Sequence, residues 1–195
     1  MENIVKETVP KHNYISPEEY LTMERASEEK HEYYNGYVET ISGANLQHNY
    51  IQVNLIAEIG NYLKGKECMV LPGHMRIGTP SHNTYMYADL LIVCGEPELE
   101  DEESDTLLNP SVIFEILSPA TYHNDKRYKF LHYQQIPSFK EFIMIESRNR
   151  FIQIATKQDD GAWKIIDVSQ NANEIHIETI DFTISMNSIY RNTGL

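Results

Sequence analysis

The chain has 195 residues, of which 41% are hydrophobic and 23% are charged. This is the composition of an ordinary globular protein, and the length suits one domain with a single core. The formal net charge of −13 disfavours nonspecific attraction to nucleic acid, so a nucleic-acid enzyme would need a locally basic groove or metal ions. No segment approaches the ~18 apolar residues of a membrane span, which leads us to expect a soluble, cytoplasmic protein.

Two features are predicted to be structural. The acidic segment 96–105 has many like charges and few apolar residues, so we expect a solvated loop, with an acidic partner surface as the alternative. Cys68 and Cys94 lie at strand-like positions without the CxxC spacing of a metal site, which favours buried free thiols.

Helix signals are clear in the first third of the chain. Ser16 can cap a helix, Pro17 suits its first position and Glu19 can complete a capping box, so we expect a short helix to about residue 25. Over 45–64, apolar residues recur at helical spacing, which predicts a long, well-buried helix.

Strands account for most of the remaining chain. Asn35 and Gly36 stand between strand-forming residues, a pair typical of a two-residue turn, so a hairpin is expected over 31–42. A further helix is predicted over 124–134 and ends before Pro137. The other predicted strands are at 68–71, 75–77, 87–93, 111–118, 139–146, 151–156, 163–168 and 175–180.

The central elements follow the order helix, strand, strand, strand, helix, strand. A helix between two strands crosses over the sheet, so those strands should be parallel while the hairpins are antiparallel. We therefore predict one mixed α+β domain over 1–195. Its parts are a core at about 45–147, an N-terminal helix and hairpin at 14–42, and a C-terminal antiparallel extension at 151–190.

Two acidic residues, Asp89 and Glu115, interrupt predicted apolar strands of the core. An unpaired carboxylate in a buried strand would be strongly destabilising, so each acid should face something positive. Mg²⁺ or Mn²⁺ is one candidate, because hard cations need only one or two carboxylates and can activate water against a phosphodiester. Pairing with side chains such as Arg76 or Lys129 is the alternative.

Further candidates lie around these acids. Asp125, Lys129 and Tyr133 are spaced by four, so they share the helix face that returns over the sheet, where Lys129 can reach the second acid. A surface ion pair between Asp125 and Lys129 is the alternative. His48, in the first turn of the long helix, is a candidate for a phosphate or metal-ligand contact, or is merely solvated. Glu32 is a supporting candidate, or a surface acid at a strand end.

The sequence lacks GxGxxG, GxxxxGK[ST], GxSxG and HExxH motifs, so common nucleotide-cofactor and catalytic-triad functions lose support. A nucleic acid substrate would have to be contacted by scattered basic residues, because the sequence has no basic run. Those available near the proposed site are Arg25, Lys30, Arg76, Lys126, Arg127 and Lys129.

In their joint order, these residues resemble the Uma-two family of restriction-endonuclease-like proteins, in the PD-(D/E)XK nuclease superfamily. The resemblance runs from about residue 14 to 190. It rests on Tyr20-Leu21, the segment from His31 to Gly36, His48, Tyr87-Ala88-Asp89, the segment from Glu115 to Pro119, and Asp125, Lys129 and Tyr133. It implies a restriction-endonuclease-like core with element order α-β-β-β-α-β.

The resemblance also implies an activity: a Mg-dependent endonuclease that hydrolyses DNA, with Asp89 and Glu115 as metal ligands. The superfamily usually has a lysine two residues after the second acid, where this chain has Leu117, and a proline before the first acid, where it has Ala88. The lysine of this family has moved to the following helix, which implies Lys129 as the electrostatic catalyst.

The supporting residues are then His48, Asp125, Glu32 and Tyr133. Two alternatives to a DNA endonuclease stay open: a noncatalytic binding or assembly module that keeps the nuclease fold, and a hydrolase of RNA or another phosphodiester. A homodimer is expected, because a single small domain would have to engage two DNA strands.

Overall fold

In the computed structural model of the protein, the described residues are 14–41, 43–117 and 125–195, and only the backbone is described for 125–127. The described residues form four α-helices, one 3-10 helix and thirteen strands. The helices are α1 Pro17–Ala26, α2 Leu46–Tyr62, α3 Asp125–Tyr133 and α4 Met186–Ile189, and the 3-10 helix is Glu178–Ile180.

The strands are short and spread along the whole described chain. The first seven are β1 His31–Tyr34, β2 Tyr37–Thr40, β3 Cys68–Pro72, β4 Arg76–Gly78, β5 Thr84–Tyr87, β6 Leu90–Cys94 and β7 Thr106–Leu107. The last six are β8 Val112–Leu117, β9 Glu141–Glu146, β10 Ile152–Lys157, β11 Trp163–Val168, β12 Glu174–Ile177 and β13 Phe182–Ser185.

The larger sheet contains six strands in the order β11-β10-β9-β8-β6-β3. Strands β8 and β9 are parallel and α3 lies between them in the chain, so the predicted crossover is confirmed. Counting only α2, α3 and the strands of this sheet, the chain runs α2-β3-β6-β8-α3-β9, which is the predicted order. The hairpin of β10 and β11 extends the sheet with antiparallel strands.

The smaller sheet contains five strands in the order β2-β1-β5-β4-β7. Its hairpin β1-β2 turns at Asn35 and Gly36, both with positive φ, as the Asn-Gly pair predicts. The predicted single strand over 87–93 is wrong. Tyr87 ends β5 in this sheet, and β6 begins at Leu90 in the larger one, so Asp89 lies in the connection between the two sheets.

Strand β8 is buried on both faces, and its side chains alternate between two halves of the core. Val112, Phe114 and Ile116 pack with the buried face of α2. Ile113 and Leu117 point the other way, into the cluster that includes residues of α3 and the smaller sheet. Because side chains alternate along a strand, Glu115 faces this second side.

The acidic segment 96–105 is not simply a solvated loop. Arg25 binds Asp101 through Nη2 at 2.7 Å and Asp105 through Nε at 2.8 Å, and Arg76 pairs with Asp105 at 2.7 Å. The next two residues form β7 beside β4. These partners come from distant parts of the chain, and their positive charges offset the repulsion that the local sequence suggests.

The cysteine prediction is also wrong, because Cys68 and Cys94 form a disulfide. They occupy directly paired positions on β3 and β6, which brings the two sulfur atoms together across the edge of the larger sheet. In the C-terminal part, the predicted strand over 175–180 is too long: β12 ends at Ile177 and a 3-10 turn leads into β13, which was not predicted.

No helix within the described ranges is long and apolar enough to cross a membrane.

Candidate active site

Glu115 is held in the second half of the core by two residues of α3. Tyr133 donates a hydrogen bond from its hydroxyl to Glu115 Oε1 at 2.8 Å, and Lys129 Nζ lies 3.4 Å from the same oxygen. The two residues are one helical turn apart, so both side chains project from the face of α3 that covers β8. Only 6% of Glu115 and 7% of Lys129 are exposed, so this is a buried ion pair.

A second buried carboxylate, Glu32 of β1, contacts the same lysine. Its Oε1 lies 2.8 Å from Lys129 Nζ and also accepts the Tyr87 backbone N–H at 3.0 Å. Its Oε2 accepts the hydroxyl of Tyr34 at 2.8 Å. Lys129 Nζ also donates to the Tyr87 carbonyl at 3.0 Å. The lysine therefore links α3 to both sheets.

Asp89 lies beside Glu115 at the end of the larger sheet. The pairing of β6 with β8 ends at Leu90 and Phe114, and the Asp89 backbone N–H donates to the Phe114 carbonyl at 3.2 Å, so Asp89 is anchored to β8 next to Glu115. Asp89 Oδ2 accepts the Ile116 backbone N–H at 2.6 Å, and Oδ1 lies 2.9 Å from His48 Nε2. The first turn of α2 thus reaches over the sheet end and orients this carboxylate.

The charges in this cluster do not balance locally. Burial raises the pKa of Glu115 to about 8; Lys129 lowers it, whereas Asp89 and Glu32 raise it further. Lys129 is shared with Glu32, which it approaches more closely than it approaches Glu115. Lys129 is shared by two carboxylates and the charge of Asp89 acts on Glu115 as well, so the site favours an additional cation or a proton.

An open cavity of about 540 Å³ lies next to Asp89. Its wall includes the start of α2, the turn between β3 and β4, and the connection between β5 and β6. The described lining residues that carry polar or charged side chains are Lys30, His48, Asn49, Gln52, His74, Tyr87 and Asp89. Asp89 is therefore the carboxylate of the cluster that faces the cavity, and its side chain is 21% exposed.

A family model described as "Uma2: Putative restriction endonuclease" matches residues 17–187 of the chain. The chain belongs to the Uma2 family. This is the Uma-two family of the sequence resemblance, which is thereby confirmed.

Two uncharacterized proteins of Synechocystis sp. are relatives of this Uma2 chain. The first, slr1290, is 29% identical over 177 residues, which are 91% of this chain and 92% of the relative. The second, sll1609, is 27% identical over 161 residues, which are 83% of this chain and 91% of the relative.

The fold is also found in a solved structure. The crystal structure described as "a putative nuclease belonging to DUF820 from Anabaena variabilis" matches with a TM-score of 0.74, covering 90% of this chain and 97% of that chain. The sequences are 15% identical, so this likeness shows the fold alone. It confirms the predicted mixed α+β, nuclease-like architecture.

The structure brings most of the predicted site residues of this Uma2 protein together. Glu32, Lys129, Tyr133 and Glu115 form one buried cluster, and Asp89 with His48 forms its border with the cavity. The side chain of Asp125 lies outside the described residues. Arg76, considered as a partner for the two acids, instead pairs with Asp105.

Three contacts that shape the site were not predicted from the sequence. Tyr34 donates to Glu32, the Tyr87 backbone donates its N–H to Glu32 and accepts from Lys129 at its carbonyl, and Gln52 Nε2 donates to the Asp89 carbonyl at 2.7 Å. Tyr34 and Glu32 stand two apart on one strand, a spacing that places them on one face and would have suggested the contact. The role of the Tyr87 backbone leaves no signal in the sequence.

Proposed function

We propose that this Uma2 protein is a metal-dependent endonuclease that hydrolyses phosphodiester bonds of DNA. One observation supports it most: Asp89, at the wall of an open cavity, is bonded to the residues of β8 on either side of Glu115, and Glu115 is held by Lys129. Family membership and the nuclease-like fold point to the same class of chemistry.

The donor set fits Mg²⁺ or Mn²⁺. Asp89 and Glu115 offer hard carboxylate oxygens, and such cations are commonly held by one or two carboxylates, with water and substrate phosphate completing the shell. No group of three His, Cys, Asp or Glu residues poised to hold a metal occurs among the described residues, which is compatible with a site that borrows ligands from its substrate. When bound, the cation would neutralise charge on the scissile phosphate and act as a Lewis acid.

The surrounding residues position these two ligands. His48 orients Asp89 through Oδ1, a contact of the kind that commonly fixes metal-binding carboxylates. Tyr133 and Lys129 fix Glu115, and Lys129 offsets part of the carboxylate charge that would otherwise repel a phosphate. We assign Lys129 an electrostatic role that acts through Glu115, with Glu32 holding the lysine in place. Asp125, at the start of α3, stays a proposed supporting residue.

The test is cleavage of supercoiled plasmid in the presence of Mg²⁺ or Mn²⁺, with EDTA as the metal-free reference. Wild type should nick the plasmid only with the metal, and Asp89→Asn should lower the rate by roughly 100-fold or more, since it removes a charged ligand without changing shape. Asp159→Asn is the matched control, because Asp159 is exposed in the turn between β10 and β11. It should cleave like wild type.

Three results would contradict the proposal in different ways. Equal rates for Asp89→Asn and wild type would remove Asp89 from the site. Cleavage of an RNA duplex or single strand but of no DNA would change the substrate. Absence of cleavage of plasmid, linear duplex, single-stranded DNA and RNA with either metal would favour the noncatalytic module.

A further inference from the structure

The six basic residues near the site are not equally placed to meet a substrate. Arg25 and Arg76 are engaged by the acidic segment, through Asp101 and Asp105. The side chains of 126 and 127 lie outside the described residues. Two described lysines therefore remain to be compared, Lys129 and Lys30.

Lys129 is buried, and oxygen atoms of the protein already surround its ammonium group. Its ammonium has three N–H groups, and three oxygens lie close to Nζ: Glu32 Oε1 at 2.8 Å, the Tyr87 carbonyl at 3.0 Å and Glu115 Oε1 at 3.4 Å. Contact with a phosphate would require it to leave at least one of them. It is also absent from the described lining of the cavity.

Lys30 has the opposite placement. It lines the cavity together with Asp89 and is only partly buried. Its Nζ donates to the Gly73 carbonyl at 2.9 Å and lies 5.0 Å from the centre of the Tyr87 ring. Within the described ranges, this hydrogen bond is the only one formed by Nζ, so two N–H groups remain available.

The ammonium of Lys30 is held in place at the cavity wall. The Gly73 carbonyl belongs to the turn between β3 and β4, and the Tyr87 ring covers it from the strand that precedes Asp89. Burial lowers the pKa of Lys30, and the charges of Glu24 and Asp89 oppose that shift, so Asp89 is within electrostatic reach. A cation fixed by two neighbours loses less entropy on binding an anion than a free surface lysine does.

We propose that Lys30 contacts a backbone phosphate oxygen of the nucleic acid substrate in this cavity, next to Asp89. This inference rests on the proposed function, because the ligand is the phosphodiester that the site would cleave. The two lysines then have different roles: Lys129 compensates the charge of the buried carboxylates, and Lys30 contacts the substrate.

The test is binding of a short fluorescein-labelled DNA duplex over a series of salt concentrations, with Ca²⁺ in place of Mg²⁺ and the DNA checked for integrity. Each phosphate contact contributes about 0.9 to the slope of log K against log salt concentration. Lys30→Gln should lower that slope by about one contact and weaken binding roughly tenfold at low salt. Lys30→Arg, which keeps the charge, should retain most of the slope.

Lys66→Gln is the matched control. Lys66 is an exposed lysine whose Nζ lies 3.2 Å from the centre of the Tyr62 ring, near the end of α2 and outside the described cavity lining. The substitution makes the same change in net charge and removes the same kind of lysine–tyrosine contact. It should leave the salt slope unchanged.

A second measurement needs no variant and so is independent of folding. In the wild-type protein, the duplex should protect Lys30 from reductive methylation while leaving Lys66 reactive, as read by mass spectrometry of peptides.

The inference about Lys30 is overturned by an unchanged slope in folded Lys30→Gln, or by equal modification of Lys30 with and without DNA. Neither result bears on the proposed cleavage of plasmid. If the slope falls as expected but no nucleic acid is cleaved, the contact stands and the proposed chemistry fails. If wild type binds no DNA, both fail.

Discussion

Several charged side chains in and around the core of this Uma2 protein form ion pairs with residues that lie far away in the chain. Glu32 and Glu115 share Lys129, and Asp105 is shared by Arg25 and Arg76. Removing the shared residue, Lys129 or Asp105, leaves buried charges of its partners without compensation, which costs more than an ion pair itself contributes. Substitutions at these positions should therefore affect stability as well as any activity.

Asp105 gives a prediction of pH dependence outside the site. Hydrogen bonds from Arg25, together with the charge of Arg76, lower the pKa of Asp105 well below its ordinary value of 3.8. Because the folded carboxyl binds a proton less readily than the unfolded one, its stabilisation is present above that value and is lost as the pH falls below it. Asp105→Asn should lower the free energy of unfolding by about 1–3 kcal/mol at pH 7, with the difference from wild type shrinking in acid.

Urea denaturation at neutral and acidic pH measures this difference. Glu102→Gln, an exposed change in the same acidic segment, should match wild type throughout. A deficit of Asp105→Asn that stays constant down to the lowest pH at which the protein folds would show that Asp105 does not act through its charge.

At the scale of elements, the turn between β3 and β4 supports the connection that carries Asp89. A Cβ on Gly73 would lie 2.7 Å from the Ala88 carbonyl oxygen and 2.9 Å from that of Asp89. Only glycine allows this close approach, which sets one wall of the cavity. Since both contacts are with backbone atoms, a larger residue would have to move the turn or the connection.

Gly73→Ala should therefore lower the free energy of unfolding by about 1–3 kcal/mol, the usual range for overpacking. Gly43→Ala is the matched control, because Gly43 also lines the cavity but a Cβ there would meet nothing within 4 Å. Thermal or urea denaturation compares the two. Equal free energies of unfolding for the two variants would mean that the turn can shift to accept a Cβ at position 73 without loss of stability.

Local sequence signals predicted the elements well where the cause is itself local. The Ser16 capping box and the Asn35-Gly36 turn are both present as expected. No local signal in the sequence indicates that β4, β5 and β7 belong to a second sheet, because sheet membership depends on partner strands distant in sequence. The same holds for the acidic segment, since Arg25 lies 80 residues before Asp105.

The candidate site was predictable to a similar extent. Asp89 and Glu115 drew attention as acids in apolar runs, and the spacing of Lys129 and Tyr133 put both on one helix face. That Lys129 would be shared with Glu32 depends on how the smaller sheet packs over α3, which no spacing in the sequence encodes. The placement of Lys30 at the cavity depends on the same packing.

For the whole molecule, charge is the main constraint on a nucleic acid substrate. The chain has 16 Lys and Arg against 29 Asp and Glu, and several of the basic groups near the site pair with acids of the protein itself. Affinity for the proposed DNA substrate should then depend on a few contacts and on the proposed cation, rather than on a broad basic surface. The homodimer and the cytoplasmic location expected from the sequence stay predictions.

Calorimetric titration with Mn²⁺ tests most directly whether Asp89 and Glu115 form a metal site. Wild type and the exposed-site control Asp159→Asn should bind with the same affinity, and Glu115→Gln should bind at least ~10-fold more weakly because a charged oxygen ligand is lost. The contradictory result is a folded Glu115→Gln protein that binds Mn²⁺ as tightly as wild type, or a wild-type protein that binds none.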